Sequence, residues 1–251
     1  MNITIGSFAF LPCADAAEAM ALAGIKRVII DREHASTTWA EAREMIRAVQ
    51  GTGSQAFVRI RAVTSAEVLP ALELGVDGIV VPFVSSQDDV ERIRDLCRYP
   101  PIGLRGTCSL TRAASYGLKR SSFAEHVESV NQSLKIIGLL EAPLAETAIG
   151  AMMNVPGGLD GILIGRSDLA SALGKPGQAT DPEVIAISRR MLAQCRAAGI
   201  QDTGVVVYVR EEVASWIEAG ATSIIYGSDV SVLATAYERF VNDSTAVIRQ
   251  H

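Results

Sequence analysis

The feature that most constrains the fold is a regular alternation of short apolar runs with longer helical stretches. Eight runs are rich in β-branched residues and apolar almost throughout, which is typical of strands buried on both faces. The predicted strands are 4–8, 27–30, 56–60, 78–81, 136–140, 161–164, 203–208 and 223–226.

Helical segments lie between these strands, and several end in a glycine that is followed within a few residues by the next strand. The repeat is visible in AGIKRVII, LGVDGIVV, AGIQDTGVVV and AGATSIIYG. The predicted helices are 15–23, 38–48, 65–74, 88–97, 122–134, 182–198 and 211–219. Short loops between alternating strands and helices indicate a parallel sheet. We therefore predict a closed (β/α)8 barrel, with a doubly wound open sheet as the alternative.

Composition and charge limit which partners and which cellular compartment we expect for this chain. The chain has 251 residues and a net charge of −5, with no run of Lys or Arg, which argues against a nucleic-acid or membrane partner. No segment reads as a signal peptide or a membrane span. The four cysteines form no C-x-x-C pair, so we predict reduced thiols and a cytoplasmic protein. Without a linker or composition shift, 1–251 is predicted to be one domain.

Charged residues follow several predicted strands at the carboxyl end, where such barrels place their active sites. Glu141 and Asp168 come from neighbouring strands, and two carboxylates with water and substrate oxygens suit a hard divalent cation. The alternative is structural: Glu141 pairs with an arginine, and Asp168 caps a helix that starts at Leu169. Spacing alone leaves both interpretations open.

Three further residues are candidates for the chemistry itself. Arg59 lies near the end of the third predicted strand and offers a permanent charge to an enolate oxygen, unless it forms a structural ion pair, for example with Glu141. His34 and Asp31 follow the second strand, and a carboxylate bonded to one ring nitrogen would leave the other nitrogen free to move a proton. A structural histidine is the simpler alternative.

Two other sets of residues bear on the mechanism. The loop GLRGTCSLTR over 103–112 carries Arg105 and is interpreted as a binder of a carboxylate or of the distal end of an acceptor, or else as merely an ordered loop. The lysines suit a Schiff base poorly because of their positions, so a metal route to the enolate is favoured. The lysines are Lys26, Lys119, Lys135 and Lys175.

The ordered set VIIDREHAS, FVRI, GIVVPFVSS, YPPIGLRGTCSLTRAASYG, LLEAPLA, GLDGILIGRSDLASALGKPG and DPEV resembles the HpcH/HpaI aldolase family of 2-oxo-acid lyases. The resemblance implies a (β/α)8 barrel, a homohexamer built as a trimer of dimers with an exchanged C-terminal helix, and a divalent metal. The ion would be Mg²⁺ or Mn²⁺, with Co²⁺ as a further candidate, held by Glu141 and Asp168. The resemblance also gives Arg59 the role of enolate stabiliser and His34 with Asp31 that of acid/base pair.

The resemblance places the carboxylate of the 2-oxo acid against Gly165, Arg166 and Ser167. Here the chain departs from the family, whose loop usually reads G-P-A-D-L, so Arg166 adds a charge. The sequence as a whole predicts a metal-dependent aldolase that cleaves or forms a C–C bond at a pyruvate-type enolate. Two alternatives remain: a siderophore-pathway citrate synthase that condenses oxaloacetate with acetyl-CoA, and a non-catalytic 2-oxo-acid-binding protein. The expected partners are a 2-oxo acid with an aldehyde, or acetyl-CoA.

Overall fold

A computed structural model describes residues 3–118 and 120–249 of the chain. Its eight strands pair in parallel in sequence order, and the eighth pairs with the first to close a barrel. The closed (β/α)8 architecture is therefore confirmed and the open sheet is wrong. The strands are β1 Thr4–Ala9, β2 Arg27–Asp31, β3 Gln55–Arg59, β4 Gly78–Val81, β5 Lys135–Leu140, β6 Gly161–Ile164, β7 Asp202–Val207 and β8 Ser223–Ser228.

Helices follow the strands around the outside of the barrel. In chain order they are α1 Ala14–Leu22, α2 Trp39–Gly51, α3 Ser65–Glu73, α4 Gln87–Cys97, α5 Phe123–Ser133, α6 Glu146–Met153, α7 Arg166–Ala172, α8 Pro182–Ala197, α9 Val213–Glu218 and α10 Asp229–Ile248. The sequence patterns did not predict α6, α7 or α10. A helix from Leu169 was considered only in the alternative interpretation of Asp168, and it begins three residues later than α7. A C-terminal helix was expected only from the resemblance.

Glycines end several helices in the left-handed backbone conformation, as the helix–glycine–strand repeat predicts. Gly24, Gly199 and Gly220 have φ values of 110°, 96° and 100°, which a residue with a Cβ adopts only at a cost. These glycines turn the chain sharply from each helix into the next strand.

Two hydrophobic cores hold the barrel. The larger one lies between the strands and the surrounding helices, and a smaller one fills the barrel interior. The interior core is made by Phe8, Ile29, Phe57, Val80, Ile137, Leu139, Leu163 and Ile225. Because these side chains pack the middle of the barrel, space for a ligand remains at its ends.

The loop that carries Arg105 lies at the amino-terminal end of the barrel, away from the expected active site. Helix α4 carries the chain back to that end, where Arg98 binds the carbonyl of Leu134 and the carboxylate of Asp160, just before β5 and β6. The backbone N–H of Arg105 donates to the carbonyl of Arg98, and its guanidinium stacks 4.3 Å from the ring of Tyr99. The prediction that Arg105 lines the substrate site within its own barrel is therefore corrected.

The last helix, α10, projects most of its surface away from the barrel. Asp229, its first residue, accepts from the backbone N–H groups of Phe10 and Leu11, which fixes the start of the helix. Beyond that point it carries exposed apolar side chains, among them Leu233, Tyr237 and Phe240. Within residues 3–118 and 120–249, every helix is too short or too polar to cross a bilayer. Lys119 lies outside the described residues.

Candidate active site

A cavity of about 360 Å³ opens at the carboxyl end of the barrel. Its floor is apolar and its walls carry the charged and hydroxyl groups. It is lined by Phe8, Phe10, His34, Arg59, Leu139, Glu141, Gly165, Ser167, Asp168, Val206, Tyr208, Gly227, Ser228 and Ser231. The cavity thus gathers six of the residues predicted from the sequence, contributed by the end of β3 and by the segments that follow β2, β5 and β6.

Glu141 follows β5 directly and is 5% exposed. Its Oε2 accepts a hydrogen bond of 2.9 Å from the backbone N–H of Phe83, a residue held at a φ of 54° after β4. Gly165 leaves the space that the carboxyl group occupies, because a methyl group on Gly165 would lie 2.7 Å from Cγ of Glu141. Glu141 is therefore oriented by one amide and by a close backbone approach.

Asp168 stands beside Glu141, in the first turn of α7. That helix begins at Arg166 with Gly165 as its N-cap, so Asp168 does not cap it. Burial raises the pKa of Glu141, opposed by the Phe83 N–H and reinforced by the negative charges of Asp168 and Glu33. A hydrogen bond shared with the side chain of Asp168 raises the pKa of Glu141 further. Two carboxylates so close are stable only with a proton or a cation between them.

The donor set formed by Glu141 and Asp168 fits a hard divalent cation. Mg²⁺ prefers carboxylate and water oxygens and usually keeps several waters. Among the residues that the structure describes, no cluster of three or more acidic, histidine or cysteine side chains is arranged to hold a metal. Water and substrate oxygens would therefore complete the coordination of an ion held by this pair.

Arg59, the last residue of β3, is 6% exposed and held on three sides. Its Nε donates to Oδ1 of Asp31 at 2.6 Å, and one terminal nitrogen lies 3.1 Å from Oε2 of Glu33. The guanidinium also lies 4.6 Å from the ring centroid of Phe8. These contacts, rather than an ion pair with Glu141, fix the positive charge in the cavity wall.

His34 lines the cavity, but its ring is not oriented by Asp31 in the way the sequence suggested. The carboxylate of Asp31 accepts from Arg59 and from the backbone N–H groups of Glu33 and His34, at 3.2 and 2.9 Å. Nε2 of His34 instead lies 3.6 Å from Oε2 of Glu33. Asp31 thus shapes the loop, and Glu33 is the carboxylate nearest to the ring.

The side chain of Arg166 does not reach the cavity. It is fully buried, and its two terminal nitrogens bind the carboxylate of Glu212 at 3.0 and 2.6 Å. Its Nε donates to the carbonyl of Val206 at 3.0 Å. The prediction that the Arg166 charge contacts substrate is therefore corrected, because the guanidinium binds the end of β7 and the segment that follows it. Gly165 and Ser167, its neighbours, do line the cavity.

Tyr208 lines the cavity and was missed as a site residue. It comes directly after β7, and its hydroxyl lies 2.7 Å from Oγ of Ser167. The sequence held a signal, because a tyrosine that ends an otherwise aliphatic strand falls where barrels place their functional side chains. Tyr208 was instead counted as the last apolar residue of the predicted strand 203–208.

Comparison with known proteins identifies the family. The sequence model of the HpcH/HpaI aldolase/citrate lyase family matches residues 5–236. A 5-keto-4-deoxy-D-glucarate aldolase from Salmonella arizonae is 29% identical over 241 residues, which cover 96% of this chain and 92% of the relative.

Solved structures give the same result. A family protein from Burkholderia cenocepacia J2315 superposes with a TM-score of 0.89 at 28% identity, covering 97% of this chain and 95% of that one. The citrate synthase SbnG superposes with a TM-score of 0.85 at 27% identity, covering 99% and 94%. The family model matches nearly the whole chain, and the cavity lies at the carboxyl end of the barrel, where such barrels place their active sites. This chain therefore belongs to the HpcH/HpaI aldolase/citrate lyase family.

Proposed function

We propose that this protein is a divalent-metal-dependent aldolase that cleaves or forms a C–C bond at the pyruvate-type enolate of a 2-oxo acid. The observation that carries the proposal is the pair formed by buried Glu141 and half-buried Asp168 in one cavity with Arg59 and His34. A carboxylate pair, a fixed guanidinium and an imidazole supply the groups that enolate chemistry needs.

Glu141 and Asp168 would hold the ion, which we expect to be Mg²⁺ or Mn²⁺, with Co²⁺ as a further candidate. When bound, the cation acts as a Lewis acid toward the carbonyl of the 2-oxo acid. The protein prepares this site by placing Gly165 against Glu141 and by aiming the Phe83 N–H at its Oε2. The remaining carboxylate oxygens of the pair would hold the ion.

Arg59 stabilises the negative charge that develops on the enolate oxygen. Because Asp31 and Glu33 hold its guanidinium in advance, little reorganisation is needed as the charge appears. Arginine also stays ionised at any physiological pH, so this charge is permanent.

His34 moves the proton at the reacting hydroxyl, directly or through a water. Its side chain is 57% exposed at the cavity mouth, where it can exchange protons with solvent. Oε2 of Glu33 lies 3.6 Å from Nε2 of His34, so Glu33 orients the ring.

The proposal is tested with a panel of 4-hydroxy-2-oxo acids, with pyruvate release as the readout. We expect turnover that EDTA abolishes and that added Mg²⁺ or Mn²⁺ restores. Glu141→Gln should lose Mn²⁺ binding in a calorimetric titration, whereas Glu128→Gln, on the exposed face of α5, should keep it. Full Mn²⁺ binding and turnover by Glu141→Gln would remove Glu141 from the site.

The second candidate function is condensation of oxaloacetate with acetyl-CoA, as in a citrate synthase. It is favoured by the superposition on the citrate synthase SbnG over nearly the whole chain. Release of free thiol from acetyl-CoA in the presence of oxaloacetate distinguishes it from aldolase activity. Tight binding of a 2-oxo acid without turnover in either assay would instead support a binding protein.

We also propose that the protein assembles as a homohexamer, a trimer of dimers in which α10 is exchanged. Leu233, Tyr237 and Phe240 recur at helical spacing and are 48%, 65% and 68% exposed in the isolated chain. Such a stripe is typical of a helix that packs on another subunit.

A further inference from the structure

The cavity is charged on one side of the barrel mouth and uncharged on the other. The segments that follow β2, β3, β5 and β6 place there His34, Arg59, Glu141 and Asp168. The strands β7, β8 and β1 are consecutive around the closed barrel, so the residues at their ends form one continuous arc of the mouth. We call it the uncharged arc; the cavity-lining residues in it are Phe10, Val206, Tyr208, Gly227, Ser228 and Ser231.

An aromatic wall forms part of the uncharged arc. The backbone N–H of Phe10 donates to Oδ1 of Asp229 at 2.8 Å, which holds this residue at the mouth. Its ring meets the ring of Phe8 edge to face, with 6.2 Å between the centroids. The ring of Phe8 in turn lies 4.6 Å from the guanidinium of Arg59. Apolar surface therefore begins beside the charge that faces the enolate and continues outward to the mouth.

The hydroxyl groups of the uncharged arc already have partners within the protein. Oγ of Ser228 accepts from the backbone N–H of Ser231 at 3.2 Å, and Oγ of Ser231 donates to the carbonyl of Ser228 at 2.9 Å. The hydroxyl of Tyr208 lies 2.7 Å from Oγ of Ser167. Hydroxyls used in this way have less capacity to replace the water around a charged or polyhydroxylated ligand. The uncharged arc therefore suits an apolar group.

The charge balance of the cavity disfavours a ligand with a second carboxylate. The guanidinium of Arg59 is already paired with Asp31 at 2.6 Å and with Glu33 at 3.1 Å. Nε2 of His34 lies 3.6 Å from the same Glu33. Among the described residues that line the cavity, no lysine or further arginine is present. A carboxylate drawn into the uncharged arc would lose water without gaining a counter-charge.

We propose that the uncharged arc binds the aldehyde and selects one that carries an apolar chain and no charge. This inference rests on the proposed function. In the condensation, a proton leaves the methyl carbon of pyruvate, that carbon forms a bond to the aldehyde carbon, and the aldehyde oxygen takes up a proton to become a hydroxyl group. The reverse reaction breaks the same bond, and neither direction needs an oxidant or a reductant. The chain of the aldehyde lies against Phe10 and Val206.

Two aldehydes of the same shape test this assignment. 4-Methylpentanal and succinic semialdehyde have equal numbers of non-hydrogen atoms, but the first ends in an isopropyl group where the second ends in a carboxylate. A cavity of about 360 Å³ lies at the lower end of the range for small-molecule sites, so short aldehydes are suitable probes. With saturating pyruvate and the Mn²⁺-loaded protein, we expect kcat/KM for 4-methylpentanal to be higher by about 30-fold or more.

A lysine in the uncharged arc should weaken this preference. Phe10→Lys supplies a cation to the carboxylate of succinic semialdehyde and removes apolar surface from the site of 4-methylpentanal, so we expect the ratio of the two kcat/KM values to fall by about tenfold or more. Leu22→Lys is the matched control, because it adds the same charge at an exposed position at the end of α1, at the other end of the barrel. Thermal unfolding checks both variants, and the wild-type ratio decides the inference if Phe10→Lys does not fold.

A wild-type preference for 4-methylpentanal that Phe10→Lys reduces and Leu22→Lys keeps would support the inference. A wild-type protein that accepts succinic semialdehyde equally well or better, or that accepts neither aldehyde, would overturn it. A preference that a folded Phe10→Lys leaves unchanged would overturn it as well. Exchange of the methyl protons of pyruvate in D₂O, measured without an aldehyde, separates the two proposals: exchange without the preference leaves the proposed function standing, and absence of exchange overturns both.

Discussion

Nε of Arg59 donates to Oδ1 of Asp31 at 2.6 Å, and the carboxylate that accepts this bond is completely buried. The same carboxylate accepts from the backbone N–H of His34 at 2.9 Å. One buried acid thus ties together the two residues proposed to stabilise the enolate and to move the proton. Asp31 acts as a positioning residue for both.

Replacing Asp31 by Ala should misplace Arg59 and the His34 loop while leaving the carboxylate pair intact. We expect kcat/KM to fall by about 100-fold, because small displacements of a positioned group have effects of that size. Steady-state pyruvate release measures the loss, and Mn²⁺ titration should give an affinity close to that of the wild type. Asp15→Ala, on the exposed side of α1, is the control. Wild-type turnover by Asp31→Ala would rule out this positioning role.

Gly165 sets the distance between the start of α7 and Glu141. A methyl group there would lie 2.7 Å from Cγ and 3.0 Å from Oε1 of Glu141, so Gly165→Ala must displace the carboxyl group. We expect Mn²⁺ affinity to fall by about tenfold, as is usual when a group that orients a ligand is changed. Gly150→Ala in α6 is the matched control, because open space surrounds that position. Equal Mn²⁺ affinities for the two variants would contradict the proposed metal site.

The barrel was predictable because its signals are local. Apolar runs fix the strands, and glycines such as Gly199 and Gly220 mark the helix ends, so predicted and observed bounds differ by only one or two residues in most elements. Of the six predicted residues that line the cavity, His34, Arg59, Glu141 and Asp168 followed from the rule that the carboxyl ends of the strands meet at one end of the barrel. Gly165 and Ser167 followed from the family resemblance.

The incorrect predictions for Arg166 and Arg105 have a common physical cause. The position of a residue after a strand suggests at which end of the barrel it lies, but it does not show where the side chain points or where the chain goes next. Arg166 stands next to two cavity residues, yet its chain turns into the protein to meet Glu212, 46 residues away. Arg105 follows strand four in the sequence, but α4 first carries the chain to the opposite end. Such long-range contacts leave no local signal.

The Arg166–Glu212 pair should make stability depend on pH. Burial opposes the charged form of Glu212, but the hydrogen bonds and charge of Arg166 outweigh it and lower the pKa from its ordinary value of 4.5. A lowered pKa means that the pair stabilises the fold above pH 4.5 and that this contribution is lost as pH falls below it. Glu212→Gln should therefore lower the free energy of unfolding by about 2 kcal/mol at pH 7.

Urea unfolding at several pH values measures this difference. The difference in the free energy of unfolding between the wild type and Glu212→Gln should become smaller as the pH falls below 4.5. Glu218→Gln, at the exposed end of α9, should have the same free energy of unfolding as the wild type at every pH. A gap of the same size at pH 7 and at pH 3 would show that the charge of Glu212 is not what stabilises the loop.

The apolar stripe on α10 should govern assembly. Leu233, Tyr237 and Phe240 recur three or four residues apart, so they share one face of the helix, and burial of that face against another subunit would remove large apolar side chains from water. Leu233→Asp/Phe240→Asp should therefore reduce the mass in solution, measured by light scattering after size exclusion, from about six times the 26.6-kDa chain to smaller species. Asn242→Asp adds charge on the same helix outside the stripe and should keep the wild-type mass. A wild-type protein that runs as a monomer would contradict the proposed hexamer, and a double variant of wild-type mass would place its contacts elsewhere than α10.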